Sequence, residues 1–266
     1  SLSQLLLFVL FNLMFLFRVR PKGWNSIRIV PVSKGPPCLD CREWRPIHVV
    51  STLAKLFSFL QEGRLRKQTK IDKRQVGFRE GVGTREGIAA LASVIESCEK
   101  EKKALLGAFV DFSKAFDRVP RQRMLERLRE EGVEEQDIHM VHAMYASVRA
   151  RVDGSQTDIE EGARVKQGEP LSPLLFLLYI NDLHKWVEKG IESSDRQQGR
   201  EGGSEGGEAV LLADFLLSSI GYTDDLVLLS HSRKDLQRKI DRLDRYCREQ
   251  GLLVNLKKTK IMTLSS

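Results

Sequence analysis

The stretch Gly221 to Ser230, GYTDDLVLLS, sets two adjacent carboxylates between two apolar runs. Adjacent aspartates repel each other and are poor strand formers, so Asp224 and Asp225 belong at the turn between two strands. A further aspartate, Asp111, closes the apolar run ALLGAFVDF, which reads as a buried strand. Three carboxylates at the ends of apolar strands suggest a divalent cation site. Mg²⁺ is a hard ion that takes oxygen ligands, commonly one or two carboxylates plus substrate phosphates. Two such ions about 4 Å apart activate an attacking hydroxyl and stabilise a leaving oxygen in phosphoryl transfer. For the Asp-Asp pair alone, a solvated acidic turn is the simpler alternative.

The rest of the chain sets limits on what carries these residues. Its 266 residues make one large domain or two small ones, at about 100–200 residues per domain. An apolar fraction of 41% allows a sizeable core. A formal charge of +7 favours a polyanionic partner. Four cysteines (Cys38, Cys41, Cys98 and Cys247) are few for this length, which fits a reduced, intracellular compartment. Cys38 and Cys41 form a lone CxxC with no further zinc ligands in sight, so they read as loop cysteines. The apolar run from Leu5 to Phe17 contains Asn12 and is shorter than the ~18–20 residues of a spanning helix. It lacks the basic start and small-residue cleavage site of a signal peptide. Residues 1–23 are therefore expected as a helix buried in, or cut from, a larger body, with no stable membrane association.

Local patterns predict a mixture of helices and short antiparallel strands. Trp24 to Gly35 reads as a strand, followed by a Pro-punctuated loop returning to a second strand. Leu53, Leu56, Phe57 and Leu60 recur at helical spacing. A Gly-rich loop, QVGFREGVGT, precedes another helix. A helix behind Pro120 is closed by Gly132, and a further helix follows. Asp153-Gly154 marks a hairpin turn. Pro170 to Lys189 reads as one apolar helix. Residues 190–208 have almost no apolar side chains and are expected as a disordered insertion. Leu236, Ile240, Leu243 and Tyr246 point inward from a late helix, and a terminal strand ends the chain. The fold class is α+β.

Six motifs in order carry a resemblance. They are CREWRPIHVVSTLAKLFSFLQEGRL, QVGFREGVGT, GAFVDFSKAFDRVPR, VKQGEPLSPLLFLLYINDL, GYTDDLVLLS and GLLVNLKKTKIM. Together they span Trp24 to Met262 and resemble the reverse transcriptase domain of non-LTR (LINE-type) retrotransposons. The resemblance implies a right-hand polymerase with fingers and palm over residues 24–266. It implies an antiparallel palm sheet with packed helices, and no thumb: primer grip and thumb would follow Ser266. The implied activity is RNA-directed DNA polymerisation, adding dNTPs to a DNA primer on an RNA template, in a cytoplasmic ribonucleoprotein or the nucleus.

The resemblance also implies roles residue by residue. Asp111, Asp224 and Asp225, with the Phe112 carbonyl, would hold two Mg²⁺ ions, with Mn²⁺ as a substitute. Lys34 and Arg45 would clamp the triphosphate, and Ser113, Lys114 and Ala115 would offer backbone N–H groups to phosphate oxygens. Phe116 would occupy the sugar-gate position, favouring deoxynucleotides, with core packing an equal alternative. Gln167 would contact nucleotide or template, and Gly168 would permit close backbone approach. Gln75, Gly77 and Phe78 would lie along the template, with Phe78 a core residue in the alternative reading. Lys258 would protonate departing pyrophosphate; a plain strand-edge lysine is the alternative. Thr223 stands where the family usually has Ala, and is expected to suit a strand. A catalytically inactive nucleic-acid-binding remnant, or a fragment lacking the thumb, is the competing function. An RNA-copying RNA polymerase is disfavoured by Phe116.

Overall fold

The computed structural model describes residues 1–35, 44–146, 148–161, 165, 168–188, 210–212 and 215–265. Cys38, Cys41, Gln167 and the 190–208 segment lie outside them. In chain order the elements are α1 (Leu2–Phe17), β1 (Ser26–Ser33), β2 (Trp44–Val49), α2 (Thr52–Gln68), α3 (Thr84–Lys100), β3 (Leu105–Asp111), α4 (Arg121–Glu130), α5 (Glu135–Met144), β4 (Val148–Val152), β5 (Asp158–Glu161), α6 (Leu171–Tyr179), α7 (Leu183–Glu188), β6 (Val210–Leu212), β7 (Phe215–Leu217), β8 (Ser219–Tyr222), β9 (Asp225–Ser230), α8 (Arg233–Gln250) and β10 (Lys260–Ser265). They fall into two units, Ser1–Lys70 with Phe116–Tyr179, and Ile71–Ala115 with Ile180–Ser266.

The first unit holds a four-stranded sheet ordered β2-β1-β4-β5. β1 pairs antiparallel with β2 and parallel with β4. The β4–β5 hairpin turns through Asp153 and Gly154, whose φ of 84° is the left-handed conformation that glycine adopts without strain. α2 is capped by Ser51, whose hydroxyl accepts the Ala54 N–H. The buried stripe of α2 differs from the one its leucines predict. Ala54, Phe57, Ser58, Gln61 and Leu65 face inward, while Leu53, Leu56 and Leu60 are exposed. The inward polar residues have defined partners: Gln61 donates to the Asp137 carboxylate, and Ser58 Oγ accepts the Leu171 N–H. Such pairing offsets much of the cost of burying an amide or hydroxyl group.

α1 docks on α2 through a narrow stripe. Phe11 and Met14 are buried, and the Phe11 and Phe15 rings sit 5.2 and 5.3 Å from Phe57. Leu2, Leu6, Phe8 and Leu16 of α1 remain exposed. Among the described residues, no helix is long and apolar enough to cross a membrane.

The second unit is built on an antiparallel sheet ordered β10-β3-β9-β8. Val94 and Cys98 of α3 pack with Leu105, Ile220 and Leu229 of the sheet to form its core. The expected single helix over 170–189 is two helices, α6 and α7. At the break, the Asn181 side chain accepts the Asp72 N–H, and the Asp182 carboxylate accepts the Tyr246 hydroxyl. α8 buries Leu236, Leu243 and Tyr246 as its spacing predicts, but Ile240 is only half-buried and Lys239 is buried. The Lys239 amine donates to the carbonyls of Leu229 and Ser218.

Candidate active site

The sheet register brings the carboxylates together. Asp111 at the end of β3 pairs directly with Asp225 at the start of β9. Side chains alternate faces along a strand, and directly opposed residues share a face with Cβ atoms about 4.5–5.5 Å apart. Phe109 with Val227 and Gly107 with Leu229 continue that face inward, toward the core under α3. Asp224 sits in the two-residue turn between β8 and β9. Burial, then the charges of Asp225 and Asp111, hold the Asp224 carboxyl above its ordinary range. Desolvation and the charge of Asp111 raise Asp225 in the same direction.

Asp111 is held on several sides by one loop. The Asn255 side chain donates to Asp111 Oδ2 at 2.9 Å, and the Asn255 backbone N–H donates to the Asp111 carbonyl at 2.7 Å. Lys258 Nζ lies 3.2 Å from Asp111 Oδ1, its own side chain two-thirds exposed at 67%. Lys258 thus sets a positive charge at the carboxylate cluster. Asn255 is a site residue that the sequence reading missed; its signal was the spacing of three residues before Lys258 in the same loop.

The turn that carries Asp224 is gripped from the other side. Gln75 is buried, 3% exposed, so it presents no template surface. Its Oε1 accepts the Thr223 N–H at 2.8 Å, and its Nε2 donates to the Thr223 carbonyl at 3.2 Å. Gly77 packs against the same residue: a Cβ there would lie 2.6 Å from Thr223 Oγ1 and 2.7 Å from Thr223 N. In this structure both residues pack against the aspartate turn. Thr223 is likewise not in a strand. It has φ of 60° in the turn and is buried. Phe78 differs from its neighbours: it is 50% exposed, which removes the core reading. On β8, Gly221 lies between Gln75 and His184. The His184 Nδ1 shares a hydrogen bond with Ser219 Oγ at 2.8 Å, while its Nε2 has no partner among the described residues. Burial brings this imidazole down to about 4.

Beyond β3, Phe112 is buried and bridges to Val254. The Ser113 N–H donates to the Leu253 carbonyl at 2.7 Å, so it is not offered to a phosphate, contrary to the expectation. Lys114 is exposed with φ of 51°, and Ala115 is buried.

The remaining expected site residues belong to the first unit. Arg45 on β2 is exposed and pairs with Val32 of β1, and exposed Lys34 follows β1 directly. The Phe116 ring is half-buried and stacks on Phe176, 4.9 Å between centroids and 28° between planes. Gly168 has φ of 101°, and a Cβ there would meet the His48 carbonyl at 3.1 Å. It therefore approaches the β2 backbone closely.

The donor set at Asp111, Asp224 and Asp225 consists of oxygens crowded by like charge, which a hard divalent cation relieves. Among the described residues, no three acidic, histidine or cysteine side chains are already gathered around an ion-sized space.

Comparison with known proteins agrees with this geometry. A sequence profile described as reverse transcriptase (RNA-dependent DNA polymerase) matches residues 32–266. The chain is 26% identical over 258 residues to the Pol polyprotein of a type-1 retrotransposable element R2 from Nasonia vitripennis, covering 96% of this chain and 24% of that protein. It is 26% identical to the RNA-directed DNA polymerase from mobile element jockey of Drosophila melanogaster, covering 92% of this chain and 26% of that protein. The chain thus spans about a quarter of the length of these relatives. In fold it is similar to apo telomerase from Candida tropicalis, with TM-score 0.58, 13% identity, and coverage of 95% of this chain and 54% of that one. Telomerase from Candida albicans in complex with a fragment of telomeric RNA is similar at TM-score 0.60 and 12% identity, covering 91% and 43% of the two chains.

Proposed function

We propose, from the premise that this chain belongs to the reverse transcriptase family, that it adds deoxynucleotides to a primer 3′-hydroxyl on an RNA template within a retrotransposon protein. The observation that carries the reading is the pairing of Asp111 with Asp225 beside Asp224, on the end of an antiparallel sheet.

The family uses divalent ions. Asp111, Asp224 and Asp225, with the Phe112 carbonyl, would hold two Mg²⁺ ions or Mn²⁺ in their place. When bound, such ions supply hydroxyl activation and neutralise developing phosphate charge. The chain's own residues do the rest. Asn255 orients the Asp111 carboxylate. Lys258, already at Asp111, supplies positive charge and a proton for the departing pyrophosphate. Lys34 and Arg45 bind the triphosphate as exposed cations, Arg45 in a bidentate fork. The amides of Lys114 and Ala115 face phosphate oxygens. Phe116, fixed by its stack on Phe176, excludes a ribose 2′-hydroxyl. Gln167 contacts nucleotide or template, and the exposed Phe78 ring stacks on a template base. A basic chain suits RNA and DNA partners. The working compartment is a cytoplasmic ribonucleoprotein or the nucleus.

Primer extension on an RNA template with dNTPs and Mg²⁺ tests this. Extension by the chain, lost in both Asp111→Asn and Asp224→Asn while primer–template binding persists, supports the assignment. Extension surviving both substitutions overturns it, and so does its absence from a chain that binds primer–template.

A further inference from the structure

The segment Arg74 to Gly77 runs beside β8 as an extra, parallel strand fragment. Val76 N–H donates to the Gly221 carbonyl at 2.8 Å, and Gly221 N–H donates to the Arg74 carbonyl at 2.9 Å. These bonds carry Gln75 to the end of β8, where its amide meets both backbone groups of Thr223. Two facts make this contact more than core packing. Thr223 is β-branched yet has φ of 60°, a conformation that such residues resist. In addition, Thr223 Oγ1 is buried with no hydrogen-bond partner among the described residues, so no side-chain hydrogen bond from Thr223 holds the turn. Gln75 satisfies both backbone polar groups of Thr223, and Gly77 leaves the room for Thr223 that any Cβ would fill.

We propose that Gln75 is a positioning residue: its side-chain amide latches the Thr223 peptide in the left-handed conformation and so fixes the Asp224 carboxylate for cation binding. This rests on the polymerase reading of the carboxylates. Gln75 touches no reacting group; it acts through the Thr223 backbone, and Gly77 is the small residue that lets the latch close.

The test uses the full chain and Mn²⁺ alone as probe, followed by electron paramagnetic resonance, beside anisotropy of a labelled RNA–DNA hybrid. Gln75→Met keeps the length and removes both hydrogen bonds. The expected result is a loss of Mn²⁺ affinity of roughly 10- to 100-fold, as for other residues that orient metal ligands, with hybrid affinity unchanged. The Thr223→Gly background supplies the rescue. Glycine adopts positive φ without help, so there Gln75→Met should cost less than about threefold. Should Gln75→Met fail to fold, Gln75→Leu removes the same two hydrogen bonds with a branched apolar side chain; its loss is again expected to be rescued by Thr223→Gly. Equal losses in both backgrounds would overturn the latch. So would weakened hybrid binding with intact Mn²⁺ affinity, which returns Gln75 to a template role. Asp224→Asn separates the two readings. If Asp224→Asn leaves Mn²⁺ binding intact, the cation reading has failed and the latch falls with it. If Asp224→Asn abolishes binding and Gln75→Met does not weaken it, only the latch is wrong.

Discussion

His184 is expected to make the second unit labile to acid. The imidazole is buried against β8, bonded to Ser219, with Asp72, Arg74 and Glu188 as its charged neighbours. Burial holds it near 4, against an ordinary value of 6.5. In the unfolded chain it takes up a proton as pH falls through 6.5; in the folded chain it does not until about 4. Stability contributed by the neutral ring is therefore complete above 6.5 and is lost progressively as pH falls toward 4. At about 1.36 kcal/mol per pH unit, the full loss is about 3 kcal/mol, of which about 2 kcal/mol has gone at pH 5. That is a large part of a marginal stability of roughly 5–15 kcal/mol. The perturbation is His184→Phe, which keeps a ring and removes the titration. The variant loses the Ser219 bond, a pH-independent cost of about 1 kcal/mol. Urea unfolding at pH 7.5 and pH 5 on both proteins isolates the term as a double difference. The original chain should lose about 2 kcal/mol more than the variant between the two pH values. Identical pH dependence in both would refute the buried, neutral imidazole.

Three further outcomes follow from the packing and the site. Asn255→Ala removes the side-chain bond to the Asp111 carboxylate; a hydrogen bond to a charged group is worth about 1.5–3 kcal/mol, so kcat for primer extension should fall roughly 10- to 100-fold with template affinity unchanged. Phe116→Ala should raise the kcat/KM for ribonucleotides relative to deoxynucleotides; unaltered sugar discrimination would leave Phe116 as the packing partner of Phe176 only. On α2, Phe57→Ala should cost about 3–5 kcal/mol in urea unfolding, whereas Leu56→Lys should stay within about 0.5 kcal/mol, because Phe57 is fully buried and Leu56 is 41% exposed. Comparable losses at both positions would contradict the orientation of α2.

The sequence was most legible where periodicity and chemistry coincide. The apolar runs of ALLGAFVD and DLVLLS yield two strands, and the aspartates at their ends mark the candidate site. It was least legible where a polar side chain finds a distant partner. Gln75 and Thr223 are 148 residues apart, and Asn255 and Asp111 are 144 apart. Nothing local to Gln75 marks its amide as a partner of the Thr223 backbone, and for Asn255 the only local signal is its place three residues before Lys258. The same limit explains α2, where Ser58 and Gln61 turn inward because Leu171 and Asp137 await them, displacing three leucines to the surface. Distant partners also meet at the break between α6 and α7, where the Asn181 and Asp182 side chains bond Asp72 and Tyr246. Thr223 misled for a different reason: β-branching predicts extended backbone, and a grip from outside the turn overrides that preference.

The central claim is that Asp111, Asp224 and Asp225 form one cation-dependent site for nucleotide addition. Its most direct test is single-turnover extension of a DNA primer on RNA by the chain and by Asp224→Asn, with Mg²⁺ titrated and hybrid binding measured in parallel. The account predicts extension that saturates with Mg²⁺ in the original chain and is absent in the variant, at equal hybrid affinity. Extension by Asp224→Asn at the original rate and Mg²⁺ dependence would contradict it.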